Sequence, residues 1–256
     1  MLWRLYLTHL KVRLHIMRSY GFNTVMQTLT LVVFFVFLYL GIRWVAAPQR
    51  FGDTLEAFMV GYWVWVGLLF SLSQFSWHIV GAAQQGLLEQ VFMSPLRLRW
   101  MLAVEAAAGF TVDTAINLLL LVAFMALTGR WLHLEPVTTL TLYLLTLLPG
   151  FGLGYILAGL AMRFKNIQSA FNIVQFLMVP LQMLPVDRFP WLNLFPFAQG
   201  TRMLLQHARQ GTLLWEFPAH LLLILLLQAG AYLLLGLLVY DRLELAARQR
   251  GLLSHY

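Results

Sequence analysis

Residues 21–42 read GFNTVMQTLTLVVFFVFLYLGI and contain no charged side chain. As a helix rising about 1.5 Å per residue, a stretch of this length crosses a hydrocarbon core of roughly 30 Å. Comparable apolar stretches lie at residues 56–81, 100–128, 137–162, 167–184 and 217–240. We therefore predict an all-α polytopic membrane protein with six transmembrane helices, forming a single domain over residues 1–256.

The composition excludes several classes of protein. Hydrophobic residues make up 61% of the chain and charged residues only 11%, whereas soluble domains carry about 25% charged residues. The absence of cysteine excludes disulfides and cysteine metal sites. The chain also lacks the GxxxxGK(S/T) phosphate loop, the HExxH zinc motif and the GxSxG nucleophile motif. We expect no catalytic residue, metal site or cofactor in this chain.

The distribution of basic residues predicts the orientation, because lysine and arginine are enriched in cytoplasmic segments. For the same reason the net charge of +7 does not indicate a nucleic-acid partner. Six spans place both termini on one side. If that side is the cytoplasm, eleven of the 17 basic residues are cytoplasmic, namely Arg4, Lys11, Arg13, Arg18, Arg97, Arg99, Arg163, Lys165, Arg242, Arg248 and Arg250. The remaining six are Arg43, Arg50, Arg130, Arg188, Arg202 and Arg209.

Residues 1–19 have the pattern of an amphipathic helix. One face carries the basic residues Arg4, Lys11, His15 and Arg18, and apolar residues fill most of the remainder. Such a helix lies in the headgroup plane and contacts membrane lipids. Arg13 falls within the apolar arc, where it either snorkels or pairs with another part of the protein. The alternative is a simple basic flank that orients the first span.

A second amphipathic helix is predicted at residues 84–95, within the stretch QQGLLEQVFMSPLRLR at 84–99. Leu87, Leu88, Val91 and Phe92 share one helical face, whereas Gln85, Glu89 and Gln90 lie largely on the other side. Helices that lie on a membrane surface are usually basic on their polar face, and this one is acidic. We therefore favour docking into a groove on a soluble partner over contact with the bilayer.

Polar residues at helical spacing occur inside two predicted spans. They are Asn23, Gln27 and Thr30 in the first span, and Gln168, Asn172 and Gln175 in the fifth. The third span contains Asp113 and Asn117. Polar groups inside a membrane seek partners, so these residues line either a translocation path or a protomer interface, or make ordinary interhelical hydrogen bonds. Asp113 is protonated, paired with a basic residue, in contact with a cationic substrate, or simply structural.

The segment 185–216 combines prolines with strongly apolar residues. Proline interrupts helices, and irregular backbone at a membrane edge must be covered by protein or water. We predict short helices that dip into the outer leaflet. In the fourth span, Gly150 and Gly154 have the GxxxG spacing that permits close helix packing.

The stretch Gly86–Leu96 resembles the G-(T/L)-L-E-Q-x-x-x-S-P-L signature of ABC type-2 exporter permeases, and it lies between spans 2 and 3 as in that family. The N-terminal helix, the glycine-rich fourth span and the proline-rich outer segment agree with the same family. The resemblance implies that two permease subunits, a second copy of this chain or a close homologue, join two separate ATPase subunits. The ATPase subunits would bind ATP and magnesium. The whole assembly would lie in the cytoplasmic membrane of a prokaryote.

The resemblance also implies roles for particular segments. Residues 84–95 would be the coupling helix, which contacts the ATPase through Gln85, Leu87, Leu88, Glu89, Gln90, Val91 and Phe92. Arg163 and Lys165 would form a second contact with the ATPase. Residues 185–216 would form outer re-entrant helices.

The expected cargo is an amphiphilic or hydrophobic substrate, whether a drug, a lipid or a glycolipid or polysaccharide. Two other classes of function remain open at this point. A secondary transporter or channel would use Asp113, although such proteins usually have inverted repeats and several buried charges. An integral membrane lipid-modifying enzyme would need clustered histidine or acidic residues at the interface, and here these residues are dispersed.

Overall fold

A computed structural model describes residues 2–45, 51–84, 98–164, 167–183 and 195–249, and these residues form helices joined by short turns without any strand. The helices are α1 (Leu2–Ser19), α2 (Gly21–Val45), α3 (Phe51–Gln84), α4 (Leu98–Thr128), α5 (Pro136–Phe164), α6 (Gln168–Met183), α7 (Ala198–Gln210) and α8 (Ala219–Gln249). A 3-10 turn at Leu214–Glu216 precedes α8. The all-α prediction is confirmed for this part of the chain.

Within the described ranges, five helices are long and apolar enough to cross a membrane, namely α2, α3, α4, α5 and α8. The chain is therefore a multi-pass membrane protein. The predicted fifth span corresponds to α6, which has 16 residues and is shorter than the roughly 20 residues that a span needs.

The last helix continues beyond the predicted end of the last span. α8 begins after Pro218 and continues to Gln249, nine residues beyond the predicted end at 240. Residues 241–249 read DRLELAARQ and consist of good helix formers without a breaker. The apolar run from 217 to 240 therefore predicted the presence of this span but not the full length of its helix.

α5 lies at the centre of the helix bundle and packs most extensively against α8 and α3. Glycine permits the α5–α8 contact, because a Cβ on Gly152 would collide with the Tyr232 carbonyl and a Cβ on Gly236 would collide with Gly152. The predicted GxxxG pair, Gly150 and Gly154, faces α3 instead. The glycine-rich stretch therefore packs against helices on two sides of α5.

Among the described residues, α2 packs against α3 and α4 mainly through its second half. Phe35 is fully buried, and its ring stacks on Phe124 at a centroid distance of 3.9 Å. The Tyr62 hydroxyl donates a hydrogen bond of 2.7 Å to the Leu31 carbonyl. Most other large side chains of α2 are exposed, as expected for a helix that faces lipid. The half of α2 that begins at Gly21 is left free to border a cleft.

α1 packs against α4. The Tyr6 and Thr111 hydroxyl oxygens lie 2.9 Å apart, and Arg13 reaches Asp113. The predicted basic face of α1, comprising Arg4, Lys11, His15 and Arg18, remains exposed. α1 therefore presents one face outwards and is fixed to a membrane-spanning helix by another.

Candidate functional site: a polar cleft bordered by the first four helices

A cleft of about 250 Å³ lies between α1, α2, α3 and α4. Its walls are formed by Arg13, Ile16, Met17, Tyr20, Asn23, Thr24, Gln27, Thr28, Leu31, Phe70, Ser73, Asp113 and Ile116. From Gly21 to Leu31, the α2 wall rises about 15 Å, which is roughly half of the hydrocarbon core. The α2 wall residues recur three or four positions apart, so they share one helix face.

Asp113 is the most buried charged group of the cleft, with 3% of its surface exposed. Arg13 Nη2 donates to Asp113 Oδ1 at 3.2 Å, and Gln74 Nε2 donates to Asp113 Oδ2. Both carboxylate oxygens therefore accept hydrogen bonds, as expected for the ionised form. Of the possibilities open for Asp113, the structure shows a pair with a basic residue.

Arg13 and Gln74 are the two partners that the sequence prediction did not include in the site. The signal for Arg13 was its position within the apolar arc of α1, where a guanidinium needs a partner. The signal for Gln74 was an isolated amide inside a predicted span, since polar side chains in a membrane usually meet another polar group. Neither signal identified Asp113 as the group that they share.

The polar stripe of α2 is divided between the cleft and the exposed surface. Asn23 and Gln27 line the cleft, and their amides have no hydrogen-bond partner among the described residues. Thr30 lies outside the cleft and donates 2.8 Å to the Met26 carbonyl of its own helix. A threonine hydroxyl can bond the preceding turn of its own helix, as Thr30 does. The two amides, in contrast, remain available to a ligand or partner.

Polar and apolar side chains both line the cleft. Leu31 of α2, Phe70 of α3 and Ile116 of α4 supply an apolar wall. A ligand in the cleft would therefore meet hydrogen-bonding groups and an apolar surface together.

Asn117 does not line the cleft, although it follows Asp113 by one helical turn. It is fully buried, and its Nδ2 donates 3.0 Å to the Trp63 carbonyl and 2.6 Å to the Tyr143 hydroxyl. Of the interpretations left open for Asn117, an ordinary interhelical hydrogen bond describes these contacts. It joins α4 to α3 and α5.

The polar stripe of α6 lies apart from the cleft. Gln168 is exposed and donates 3.4 Å to Asn172 Oδ1, and Asn172 and Gln175 are half-buried. The structure therefore does not bring the stripes of α2 and α6 together around one cavity within the described residues. Which surface the α6 stripe faces in an assembly stays a prediction.

The predicted ATPase-docking residues Gln85, Leu87, Leu88, Glu89, Gln90, Val91 and Phe92, together with Lys165, lie outside the described residues. Arg163 belongs to the last turn of α5, but its side chain is also outside the description. The helix that follows the predicted coupling segment is described. There Arg99 Nη1 lies 2.6 Å from Asp241 Oδ2, and the Tyr155 hydroxyl donates 2.8 Å to the Arg99 carbonyl. The first turn of α4 is thereby fixed to α8 and α5.

At the opposite end of the bundle, α7 is fixed to α5 and α3. The buried His207 donates from Nδ1 to the Thr212 carbonyl at 2.8 Å and accepts at Nε2 from the Thr139 hydroxyl at 2.9 Å. Arg209 lies 3.3 Å from Glu56. A Cβ on Gly200 would collide with Thr146, a residue about 15 Å into α5 from its start. The predicted broken segment thus contains a 13-residue helix whose first turn lies beside the middle of α5.

A carboxylate caps the start of α5. The Glu135 side chain accepts hydrogen bonds from the backbone N–H groups of Thr138 at 2.6 Å and Val137 at 3.1 Å. The hydrogen bonds from Thr138 and Val137 hold the pKa of the Glu135 carboxyl below its ordinary value. This satisfies two N–H groups that a helix start leaves without intrahelical partners.

Within the described ranges, no three histidine, aspartate or glutamate side chains converge as a metal site would require. Neither a scan against protein-family models nor a search of curated proteins finds a match to this sequence. The assignment of function therefore depends on the sequence elements and on the geometry of the helices.

Proposed function

We propose that this chain is the membrane-spanning permease subunit of an ATP-driven ABC exporter. The observation that carries the proposal is the Gly86–Leu96 element, which lies between α3 and α4 and resembles the coupling-helix signature of that family. In the proposed assembly, this chain and a second copy or close homologue provide the path, and two ATPase subunits provide the energy. α6 would be the fifth of six spans, and both termini would face the cytoplasm of a prokaryote.

The anchoring of α4 supports a mechanism in which the ATPase moves the spans through residues 84–95. Arg99 follows the Gly86–Leu96 element by three residues and is tied to Asp241 of α8 and Tyr155 of α5. A displacement of residues 84–95 by a partner would therefore move α4 together with two other spans. ATP binding changes a conformational equilibrium only if it favours one arrangement over another, and a firmly connected helix end would transmit that preference to the spans.

The position of α7 supports the proposed outer re-entrant segment. Its first turn lies beside Thr146, well inside α5, and its last turn is held by His207 and Arg209. A helix that enters the membrane region and is covered by other helices satisfies the requirement for irregular backbone at that depth. In the proposed exporter, this segment would close the outer end of the path.

The secondary transporter remains the alternative class. It would need Asp113 to exchange a proton or a cation during transport. Arg13 and Gln74 occupy both oxygens of Asp113, so the carboxylate is engaged in the described conformation. This arrangement favours a structural role for Asp113 over the exchange of a proton or a cation.

The test uses two substitutions in the proposed coupling helix. We expect Leu88→Asp and Glu89→Lys to insert normally but to uncouple transport from ATP hydrolysis, because they remove an apolar anchor and reverse a charge in the proposed docking face. Gln249→Asp, at the exposed end of α8, is the matched control for an added charge. Substrate-stimulated ATPase activity that survives in both Leu88→Asp and Glu89→Lys would contradict the proposal.

A further inference from the structure

The cleft holds hydrogen-bonding groups that the described part of the chain leaves unused. The amides of Asn23 and Gln27 line it without a partner in those ranges, and each offers both donors and an acceptor. Thr30, the third member of the stripe, lies outside the cleft and bonds its own backbone. The two exposed amides of the α2 stripe that line the cleft are therefore accessible to a ligand within it.

Charge restricts the kind of ligand. The positive charge of Arg13 is balanced by Asp113, so the cleft as a whole is neutral. A ligand with a net charge would find no unpaired counter-charge among these lining residues. The Arg13 side chain is 44% exposed and has N–H donors beyond the bond to Asp113. The best match is a neutral group rich in hydroxyls, because each hydroxyl both donates and accepts.

Shape restricts the ligand further. The volume of about 250 Å³ is below the roughly 300–1,000 Å³ of sites that enclose a whole drug-sized molecule. The cleft therefore has room for a headgroup but not for an entire amphiphile. Leu31, Phe70 and Ile116 supply an apolar wall, along which an attached hydrocarbon chain can leave the cleft.

We propose that this cleft binds the neutral polyhydroxyl headgroup of a glycolipid. Asn23, Gln27 and the exposed part of Arg13 hold the hydroxyls, and Tyr20, which is 66% exposed, offers a ring face to the sugar. The lipid chains follow the apolar wall that Leu31 of α2 and Phe70 of α3 provide. This inference deepens the proposed function by naming the headgroup of the cargo, and it rests on that function only for the identification of this ligand as cargo.

The test measures lipid binding to the full-length protein without any ATPase, in phosphatidylcholine nanodiscs. The probes are a monoglucosyl diacylglycerol and a phosphatidylglycerol with the same acyl chains. We expect the glucosyl lipid to bind at least tenfold more tightly than phosphatidylglycerol. Asn23→Leu combined with Gln27→Met should weaken glucosyl-lipid binding at least tenfold, because it removes the amide hydrogen bonds while keeping similar volumes. Thr30→Val is the matched control and should bind like the unmodified chain.

Three results would overturn the inference. Equal binding of the two lipids would show that the headgroup is not recognised. Tighter binding of phosphatidylglycerol would assign the cleft to anionic headgroups held by Arg13. Unchanged binding in the Asn23→Leu/Gln27→Met variant would place the glycolipid elsewhere. Because no ATPase is present, each result is independent of the Leu88→Asp experiment, which tests the proposed exporter separately.

Discussion

The Arg13–Asp113 pair is predicted to hold α1 on α4. Arg13→Gln removes the guanidinium and leaves the buried Asp113 carboxylate with Gln74 as its remaining donor. Breaking a buried pair costs about 3–5 kcal/mol, whereas an exposed pair contributes about 0–1 kcal/mol. Side-chain exposures of 44% for Arg13 and 5% for Asp113 place this pair between the two cases. We expect a loss of about 2 kcal/mol in the free energy that docks α1.

Hydrogen exchange of the α1 amides measures this docking directly, because exchange requires local opening. A loss of about 2 kcal/mol corresponds to about 30-fold faster exchange. Lys11→Gln makes the same change of charge on the exposed face of α1 and is the matched control. Asp113→Asn should cost less than Arg13→Gln, because the half-exposed Arg13 can turn towards water. Equal exchange rates in Arg13→Gln and Lys11→Gln would refute the reasoning.

Three further predictions test the packing and one helix cap. Gly152→Ala should destabilise the bundle by about 1–3 kcal/mol in a thermal unfolding assay, because the added methyl meets the α8 backbone. Gly230→Ala is the control, because the space around Gly230 is open, and it should be neutral or stabilising in the same assay. Asn117→Leu should cost about 1–3 kcal/mol through two lost interhelical hydrogen bonds, and Asn172→Leu much less. The pKa of Glu135 is lowered in the folded protein. Glu135 therefore stabilises α5 fully above the ordinary glutamate pKa of about 4.3, and this stabilisation is lost as the pH falls through the lowered pKa. Hydrogen exchange of the first-turn amides of α5 should accelerate over the same pH range, and Glu135→Gln should abolish this pH dependence.

Hydropathy predicted where the spans lie, because a run of apolar residues is a local property of the chain. It did not predict the full length of α8, because residues 241–249 remain helical beyond the predicted end of the span. It also did not predict the anchoring of α4, since Arg99 and Asp241 are 142 residues apart in the sequence. Which helices contact one another depends on the packing of the whole bundle, and a local pattern does not contain this information.

The candidate site could be predicted in part. Asn23, Gln27 and Asp113 were identified because polar groups inside a span need partners, and the structure places all three around one cleft. Spacing alone did not separate them from Thr30 or Asn117, whose hydrogen bonds are made within the described helices. Whether a polar side chain lines the cleft or makes its hydrogen bonds within the bundle depends on which groups lie opposite it, and tertiary structure decides that.

The central claim, that this chain is the permease of an ATP-driven exporter, is tested most directly by purifying the tagged protein from its native membrane in mild detergent. The co-purifying chains are identified and the ATP hydrolysis of the preparation is measured. We predict a stoichiometric ATPase subunit that is lost from the Leu88→Asp variant. A preparation that contains no partner and does not hydrolyse ATP would contradict the account.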